Sequence, residues 1–125
     1  MSVHLSVVIP AYNEEKVIGS TISKVASYLE ARGENELIVV DDGSRDATVE
    51  VVKGMMAEHR CLKLVLNDRN GGKGKAVRQG VLHSQGEFVL YTDADLVYPI
   101  EGEQPFVAAL GQGADVAIGC RSHPD

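Results

Sequence analysis

The sequence lacks the basic clusters, long apolar segments and abundant cysteines that mark several classes of protein. Lys and Arg number 12 against 18 Asp and Glu, which gives a formal net charge of -6 in 125 residues. A chain this acidic suits a nucleic-acid backbone poorly, because such backbones are bound by clustered Lys and Arg. We therefore expect no nucleic-acid partner, and a phosphate ligand would need a metal ion or a local basic patch.

Apolar runs are short throughout the sequence, far below the roughly 20 residues of a membrane-spanning helix. The start also lacks a basic region followed by a long apolar stretch. These absences predict a soluble cytoplasmic chain, or the soluble part of something larger. The two cysteines, Cys61 and Cys120, are far apart in sequence, and we interpret them as free thiols that act as small buried apolar residues.

Apolar runs alternate with helical patterns along the whole chain, without an internal repeat or a linker. Strands are predicted at 5–10, 37–40, 62–66, 88–91 and 115–119, with a short helix around 105–110 before the last. Asn13 is predicted to cap the first helix, which ends at Gly33, and Asp46 to cap the second. This order predicts one α/β domain over residues 1–125, with a mostly parallel sheet and helices on both faces.

Apolar side chains recur at helical spacing in each of the three long helical segments. They are Ile18, Ile22, Val25 and Leu29 in the first, Val49, Val52 and Met56 in the second, and Val77 and Val81 in the third. The first set lies on one face of its predicted helix, and the other two sets mark their segments as helices.

An acidic step, Thr92-Asp93-Ala94-Asp95, ends the fourth predicted strand. Side chains alternate in an extended chain, so Asp93 and Asp95 face the same way and their carboxylates can reach one point. Two negative groups aimed at one point repel unless a cation lies between them. A hard divalent cation is the natural candidate, so the step is a candidate metal site.

Other unusual residues also follow strand ends, the edge at which open α/β sheets bind ligands. Asp41 lies at the tip of the second strand, where a carboxylate could accept hydrogen bonds from a base N–H or a ribose hydroxyl. The following Asp42, Gly43 and Ser44 are explained adequately as turn formers. Tyr12, after the first strand, is either a packing residue or an aromatic plate beside a base.

A glycine-rich loop, Asn-Gly-Gly-Lys-Gly at 70–74, lies in the most basic segment of the chain, with Arg69, Lys75 and Arg78 nearby. Glycines let a backbone approach an anion and a helix start favours negative charge, so Lys73 and this loop suit a phosphate. A flexible turn entering a helix is an equally good interpretation. The first loop has no glycine and the 70–74 loop lacks a Lys-Ser or Lys-Thr end, which excludes a dinucleotide fingerprint and a P-loop.

Four stretches together resemble the family 2 glycosyltransferases, which have the GT-A fold. The stretches are Val-Ile-Pro-Ala-Tyr-Asn-Glu-Glu at 8–15, Val-Val-Asp-Asp-Gly-Ser-Arg-Asp-Ala-Thr at 39–48, Asn-Gly-Gly-Lys-Gly-Lys-Ala-Val-Arg at 70–78 and Thr-Asp-Ala-Asp-Leu at 92–96. Each is modest alone, but four in the family's order are specific. Pro-Ile-Glu at 99–101 and Gly-Cys-Arg at 119–121 make the chain most similar to the branch acting on polyprenyl or dolichyl phosphate.

The resemblance implies an inverting transfer of a hexose from UDP-glucose or GDP-mannose to polyprenyl or dolichyl phosphate, by a protein peripheral to the membrane. It implies a Mg²⁺ or Mn²⁺ cofactor and a GT-A type, Rossmann-like sheet that stops after the fifth strand, before the rest of the acceptor site. The implied donor-binding residues are Pro10, Tyr12, Glu14, Asp41, Lys73 and Asp93, the metal ligands are Asp93 and Asp95, and the catalytic residues are Asp95 and Arg121.

Three alternatives to a glycosyltransferase follow from the same residues. A non-catalytic module or inactive fragment that only holds a nucleotide sugar would need the same site. A sugar-1-phosphate nucleotidyltransferase should carry a glycine-rich loop after the first strand, and a phospho-acceptor receiver domain should carry its paired aspartates there. Neither feature is present.

An unpaired edge of the predicted sheet could pair with a second copy of the chain, which would favour a homodimer.

Overall fold

The computed structural model describes residues 3–94, which form a four-stranded parallel sheet and three helices. The strands are β1 (Val3–Ala11), β2 (Asn35–Asp41), β3 (Leu62–Leu66) and β4 (Gly86–Tyr91), and the helices are α1 (Ile18–Glu30), α2 (Thr48–Met56) and α3 (Lys73–His83). The short helix predicted around 105–110, the fifth predicted strand, and Asp95, Cys120 and Arg121 lie outside the described residues. No helix within 3–94 is long and apolar enough to cross a membrane.

The strands lie in the order β3-β2-β1-β4, and every pairing is parallel. The chain therefore adds strands to one side of β1 and then crosses to the other side with β4. This reversal creates a crevice outside the carboxyl ends of β1 and β4, which is the usual ligand position in such sheets. The predicted α/β class with a parallel sheet is confirmed.

Helices cover both faces of the sheet, as predicted. Val7 and Ile9 of β1 belong to the core cluster beneath α1 and α2, whereas Val8 belongs to the cluster beneath α3. Strand β2 alternates in the same way, with Val39 on the first face and Val40 on the second. All five side chains are fully buried, and each contributes roughly 1.5–3 kcal/mol by leaving water.

Helix α3 carries Val77 and Val81, as predicted, but it packs against the sheet through its smallest residues. Ala76 and Gly80 are its buried positions, while Val81 is 43% exposed. A Cβ added at Gly80 would lie 2.2 Å from Cγ1 of Val8. The backbone of α3 therefore approaches the sheet more closely than a branched side chain would allow.

Replacing Gly80 tests this close packing. We expect Gly80→Ala to lower the free energy of unfolding by about 1–3 kcal/mol, because the clash with Val8 outweighs the better helix propensity of alanine. Urea unfolding monitored by circular dichroism measures the change. Gly74→Ala is the matched control, since a Cβ there meets nothing within 4 Å, and it should stabilise slightly. Equal effects of the two substitutions would contradict the packing argument.

The predicted helix caps are only partly correct. Helix α1 begins at Ile18, and Asn13 lies earlier, in the preceding loop, with φ 53° and its Oδ1 accepting the N–H of Arg45 at 2.8 Å. Asn13 therefore uses its capping chemistry to join two loops. Asp46 does satisfy the first turn of α2, because its Oδ1 accepts the N–H of Thr48 at 2.9 Å, although Ala47 occupies the N-cap position.

A buried carboxylate closes the amino-terminal edge of the sheet. Glu36, the second residue of β2, is 2% exposed and accepts hydrogen bonds from Ser6 Oγ, Lys63 Nζ and the Gln85 N–H at 2.5, 2.5 and 2.6 Å. Burial alone would raise its pKa, but the bonds from Lys63, Ser6 and Gln85 together leave the pKa below its usual value. Both carboxylate oxygens are thus satisfied within the fold.

Cys61 is a free thiol, as the sequence indicated, and it is half-buried near the end of α1. Burial and the neighbouring Glu30 carboxylate raise the pKa of Cys61 to about 12. The thiol therefore stays protonated at neutral pH, and a packing function is favoured over a reactive one.

Candidate functional site

Two adjoining clefts lie at the carboxyl edge of the sheet. The β1–β4 cleft, of about 330 Å³, contains Pro10, Glu14, Lys73 and Asp93, together with the start of the glycine-rich loop. The β2–β3 cleft, of about 470 Å³, contains Asp41 and the residues that follow β3. Tyr12 and Asn70 line both clefts. Six of the eight residues proposed from the sequence are therefore brought to one edge, and the other two, Asp95 and Arg121, lie outside the described residues.

Asp41 carries a buried oxygen that the fold does not satisfy. The side chain is 2% exposed, and its Oδ2 accepts the N–H groups of Gly43 and Ser44 at 3.2 and 3.0 Å. Its Oδ1 has no hydrogen-bond partner among residues 3–94. An unsatisfied buried acceptor costs about 1–3 kcal/mol, and more when it is charged. Oδ1 is thus an acceptor that a ligand donor could fill.

Asp42 has a larger role than the turn-forming one expected from the sequence. It is 3% exposed and accepts hydrogen bonds from Asn67 Nδ2 and from the N–H groups of Gly71 and Gly72, at 3.1, 3.0 and 2.8 Å. Burial raises the pKa of Asp42, but these donors, with Lys75 nearby, outweigh burial and leave the pKa below its usual value. One carboxylate thereby joins the loop after β2 to two later segments.

The glycine-rich loop approaches an anion, and that anion is the Asp42 carboxylate. Gly72 has φ +98°, which directs its N–H toward Asp42 at the start of α3. Gly43 has φ +81°, and a Cβ there would lie 2.7 Å from the backbone nitrogen of Asn70. The two loops are therefore in direct backbone contact, and glycine is required where they meet.

Lys73 and Asp93 form an ion pair across the β1–β4 cleft. Nζ of Lys73 donates to Oδ1 of Asp93 and lies 5.6 Å from the centre of the Tyr91 ring. The two side chains are 53% and 25% exposed, so the pair adds little to stability. Lys73 instead brings positive charge to the acidic step, at the mouth of the cleft.

Asp93 suits a divalent cation only with help from other oxygens. No group of three or more His, Cys, Asp or Glu that could hold a metal exists within residues 3–94, and Asp95 lies beyond that range. Mg²⁺ is commonly held by one or two carboxylates together with substrate phosphates. The donor chemistry of Asp93 fits a cation of that kind, bound jointly with a phosphate ligand.

The loop that carries Tyr12 is fastened to the start of α2. The N–H of Asn13 donates to Ser44 Oγ and the N–H of Glu14 donates to Thr48 Oγ1, both at 2.8 Å. Tyr12 itself is 40% exposed. The two residues that follow Tyr12 are held by these bonds, so the backbone next to Tyr12 is fixed. The Tyr12 ring lies at the border of the two clefts, where it can flank a flat ligand. Sequence reasoning missed these two hydroxyls, which follow Asp41 within a turn-like stretch.

The parallel sheet, its reversal of strand order at β1 and the clefts at its carboxyl edge define an open α/β domain of the ligand-binding type. The family model of glycosyl transferase family 2 matches residues 6–125. The chain belongs to this family.

Similar proteins agree with the family. A dolichyl-phosphate beta-glucosyltransferase of Drosophila melanogaster is 38% identical over 98% of this chain and 42% of its own length. A mannosyltransferase from Pyrobaculum calidifontis, solved with GDP-Man and Mn²⁺, is 31% identical over 76% of this chain and 28% of its own, with TM-score 0.69. Glucosyl-3-phosphoglycerate synthase from Mycobacterium tuberculosis, solved with UDP, is 28% identical over 90% of this chain and 41% of its own, with TM-score 0.68.

The matches bear on the fold and on the extent of the chain. The structural neighbours confirm the predicted GT-A type of fold. The chain spans less than half the length of the curated relatives it matches.

Proposed function

We propose that this chain forms the donor-binding part of an inverting glycosyltransferase that moves a hexose from a nucleotide-diphosphate sugar to a polyprenyl or dolichyl phosphate. The observation that carries the proposal is the buried Oδ1 of Asp41, which no residue within 3–94 satisfies and which lies one cleft away from the acidic step. A nucleoside bound at Asp41 and a diphosphate bound beside Asp93 would occupy the two adjoining clefts. The names of the curated relatives support the glucosyl transfer and the lipid acceptor.

The state of Asp41 favours uridine over guanosine. Oδ2 already accepts two backbone N–H groups, so among the described contacts of Asp41 only Oδ1 remains for a base. Uracil offers one ring N–H between two carbonyls, whereas the corresponding edge of guanine offers adjacent N–H donors that call for two acceptors. A single remaining oxygen matches uracil, with Tyr12 beside the ring. UDP-glucose is accordingly the proposed donor.

Asp93 and Lys73 are proposed to hold the diphosphate. A divalent ion bound with Asp93, and with Asp95 as the resemblance implies, would supply positive charge that stabilises the departing phosphate. The ammonium group of Lys73 already lies at Asp93 and can turn to a phosphate oxygen on its flexible side chain. Pro10 and Glu14 line the same cleft and are proposed to border the donor, while Arg121 is proposed to contact the phosphates.

A lipid phosphate acceptor removes the need for a strong base. By analogy with phosphorylated side chains, whose second pKa is about 6, such a phosphate is largely ionised near neutral pH. Asp42 is occupied by donors of the fold and Asp93 by Lys73, so neither is a ready proton acceptor. An already ionised acceptor at the membrane surface agrees with this arrangement.

Calorimetric titration with UDP tests the donor site. We expect UDP to bind in the presence of Mn²⁺ or Mg²⁺ and to lose most of its affinity in EDTA, because phosphates and acidic side chains repel without the cation. GDP should bind more weakly than UDP under the same conditions. Equal UDP affinity with and without EDTA would refute the metal's role. Transfer of labelled glucose to polyprenyl phosphate then separates an enzyme from a non-catalytic donor-binding module.

A further inference from the structure

The hydroxyl of Thr21 donates its hydrogen bond outside its own helix, to the backbone of the acidic step. Thr21 lies in the first turn of α1, and its Oγ1 donates to the carbonyl oxygen of Ala94 at 2.5 Å. Both residues are 4% exposed, so water does not compete for this bond. A helical threonine ordinarily turns its hydroxyl to a carbonyl three or four positions earlier, and here that hydroxyl serves a residue 73 positions away.

Asp93 is consequently held between two anchors on different elements. On one side the N–H of Thr92 donates to the carbonyl of Val8 in β1 at 3.0 Å. On the other side Ala94 places its methyl group in the core and its carbonyl on Thr21. The backbone on both sides of Asp93 is therefore fixed, which leaves its carboxylate little freedom except rotation about its own side-chain bonds.

The hydroxyl at position 21 is not explained by packing alone. The hydrogen bond from Thr21 fixes the direction of the Ala94 carbonyl. A valine at position 21 would fill nearly the same volume in the core but would lack this bond, so core packing alone does not explain a hydroxyl there.

We propose that Thr21 is a positioning residue for the divalent cation, acting through Ala94 on the orientation of Asp93. The inference rests on the proposed function, because it takes the acidic step as the cation site. Residues that orient a metal ligand without binding the metal typically lower metal affinity by about 10–100-fold when they are substituted. Thr21 would act in this way through the backbone of Ala94, and not as a ligand of the cation.

Electron paramagnetic resonance of Mn²⁺, titrated in the presence of saturating UDP, measures the effect directly. We expect Thr21→Val to weaken Mn²⁺ binding by about tenfold or more and Thr21→Ser, which keeps the hydroxyl, to restore affinity close to that of the wild type. Thermal unfolding of each variant is recorded in parallel. If Thr21→Val does not fold, Thr21→Ala replaces it in the comparison with Thr21→Ser.

Ser6→Ala is the matched control for a purely structural loss. Ser6 is fully buried and its Oγ donates to Glu36 at the opposite edge of the sheet, so its removal should lower the unfolding midpoint and leave Mn²⁺ affinity unchanged. Unchanged Mn²⁺ affinity in Thr21→Val, an equal loss in Ser6→Ala, or a failure of Thr21→Ser to restore binding would overturn the inference alone. A wild-type chain that binds no Mn²⁺ with UDP would overturn the proposed function as well.

Discussion

Asp41→Asn is expected to lower the affinity for UDP strongly without lowering the free energy of unfolding. In the wild type, Oδ1 is a buried acceptor without a partner among residues 3–94, and the amide of asparagine would present a donor there if its oxygen stays on Gly43 and Ser44. Two donors would then meet at the base, and we expect affinity to fall by about 10²-fold or more, since sites with mismatched buried polar groups discriminate strongly. Stability should stay close to that of the wild type, because an unsatisfied buried amide group replaces an unsatisfied buried oxygen.

Calorimetry and urea unfolding of the same preparation check both halves of this prediction. Glu58→Gln, an exposed residue outside both clefts, is the control for the change in charge. A variant that loses binding and stability together would show that Asp41 mainly supports the fold. Unchanged UDP affinity would remove Asp41 from the nucleoside site.

Asp42→Asn is expected to have the largest effect on stability among the site residues. Three donors share the Asp42 carboxylate, and hydrogen bonds to a charged group contribute roughly 1.5–3 kcal/mol each. An amide keeps one acceptor oxygen and brings its NH₂ either toward the N–H of Gly72 or toward the donors of Asn67 and Gly71. We expect a loss of about 2–4 kcal/mol, together with weaker UDP binding because the glycine-rich loop borders the β1–β4 cleft.

The pH dependence of stability identifies the contribution of Asp42. Its folded-state pKa is lowered, so its stabilisation is present above the unfolded pKa of about 3.9 and is lost as pH falls through the folded pKa. The difference in unfolding free energy between the wild type and Asp42→Asn should be constant near neutral pH and shrink below about pH 4. Because Glu36 also has a lowered pKa, the difference curve is the informative quantity. A difference that does not change on acidification would contradict a charge-based role.

The sequence predicted the described strands and the edge at which the site lies, because both follow from alternation of apolar residues and from the geometry of parallel sheets. It did not predict what Asp42 does, since a turn former and a buried acceptor have the same local sequence. The partners of Asp42 lie 25 to 30 positions away. These partners are known only from the folded structure, in which the segment after β3 lies against the loop after β2.

The other differences between expectation and structure have the same origin. Asn13 has the chemistry of a helix cap, but a distant loop offers it a donor first. Val81 has helical spacing, but α3 presents Gly80 to the sheet because Val8 and Val40 already fill the space there. Local patterns thus indicate which residues are suited to a role, whereas tertiary contacts decide which residue takes it.

Strand β2 carries a buried carboxylate near each end, and the two are in opposite states. Both carboxylate oxygens of Glu36 accept hydrogen bonds, whereas one oxygen of Asp41 has no partner within the described part of the chain. The buried carboxylate is therefore fully hydrogen-bonded at the amino end of β2 and only partly hydrogen-bonded at its carboxyl end within the described residues. A nucleoside bound at Asp41 would complete this edge of the sheet, because it would supply the donor that the described residues lack. The hydrogen bond between the nucleoside and Asp41 would then contribute to two measurable quantities. One is the affinity for the nucleoside, and the other is the resistance of the carboxyl edge of the sheet to local unfolding.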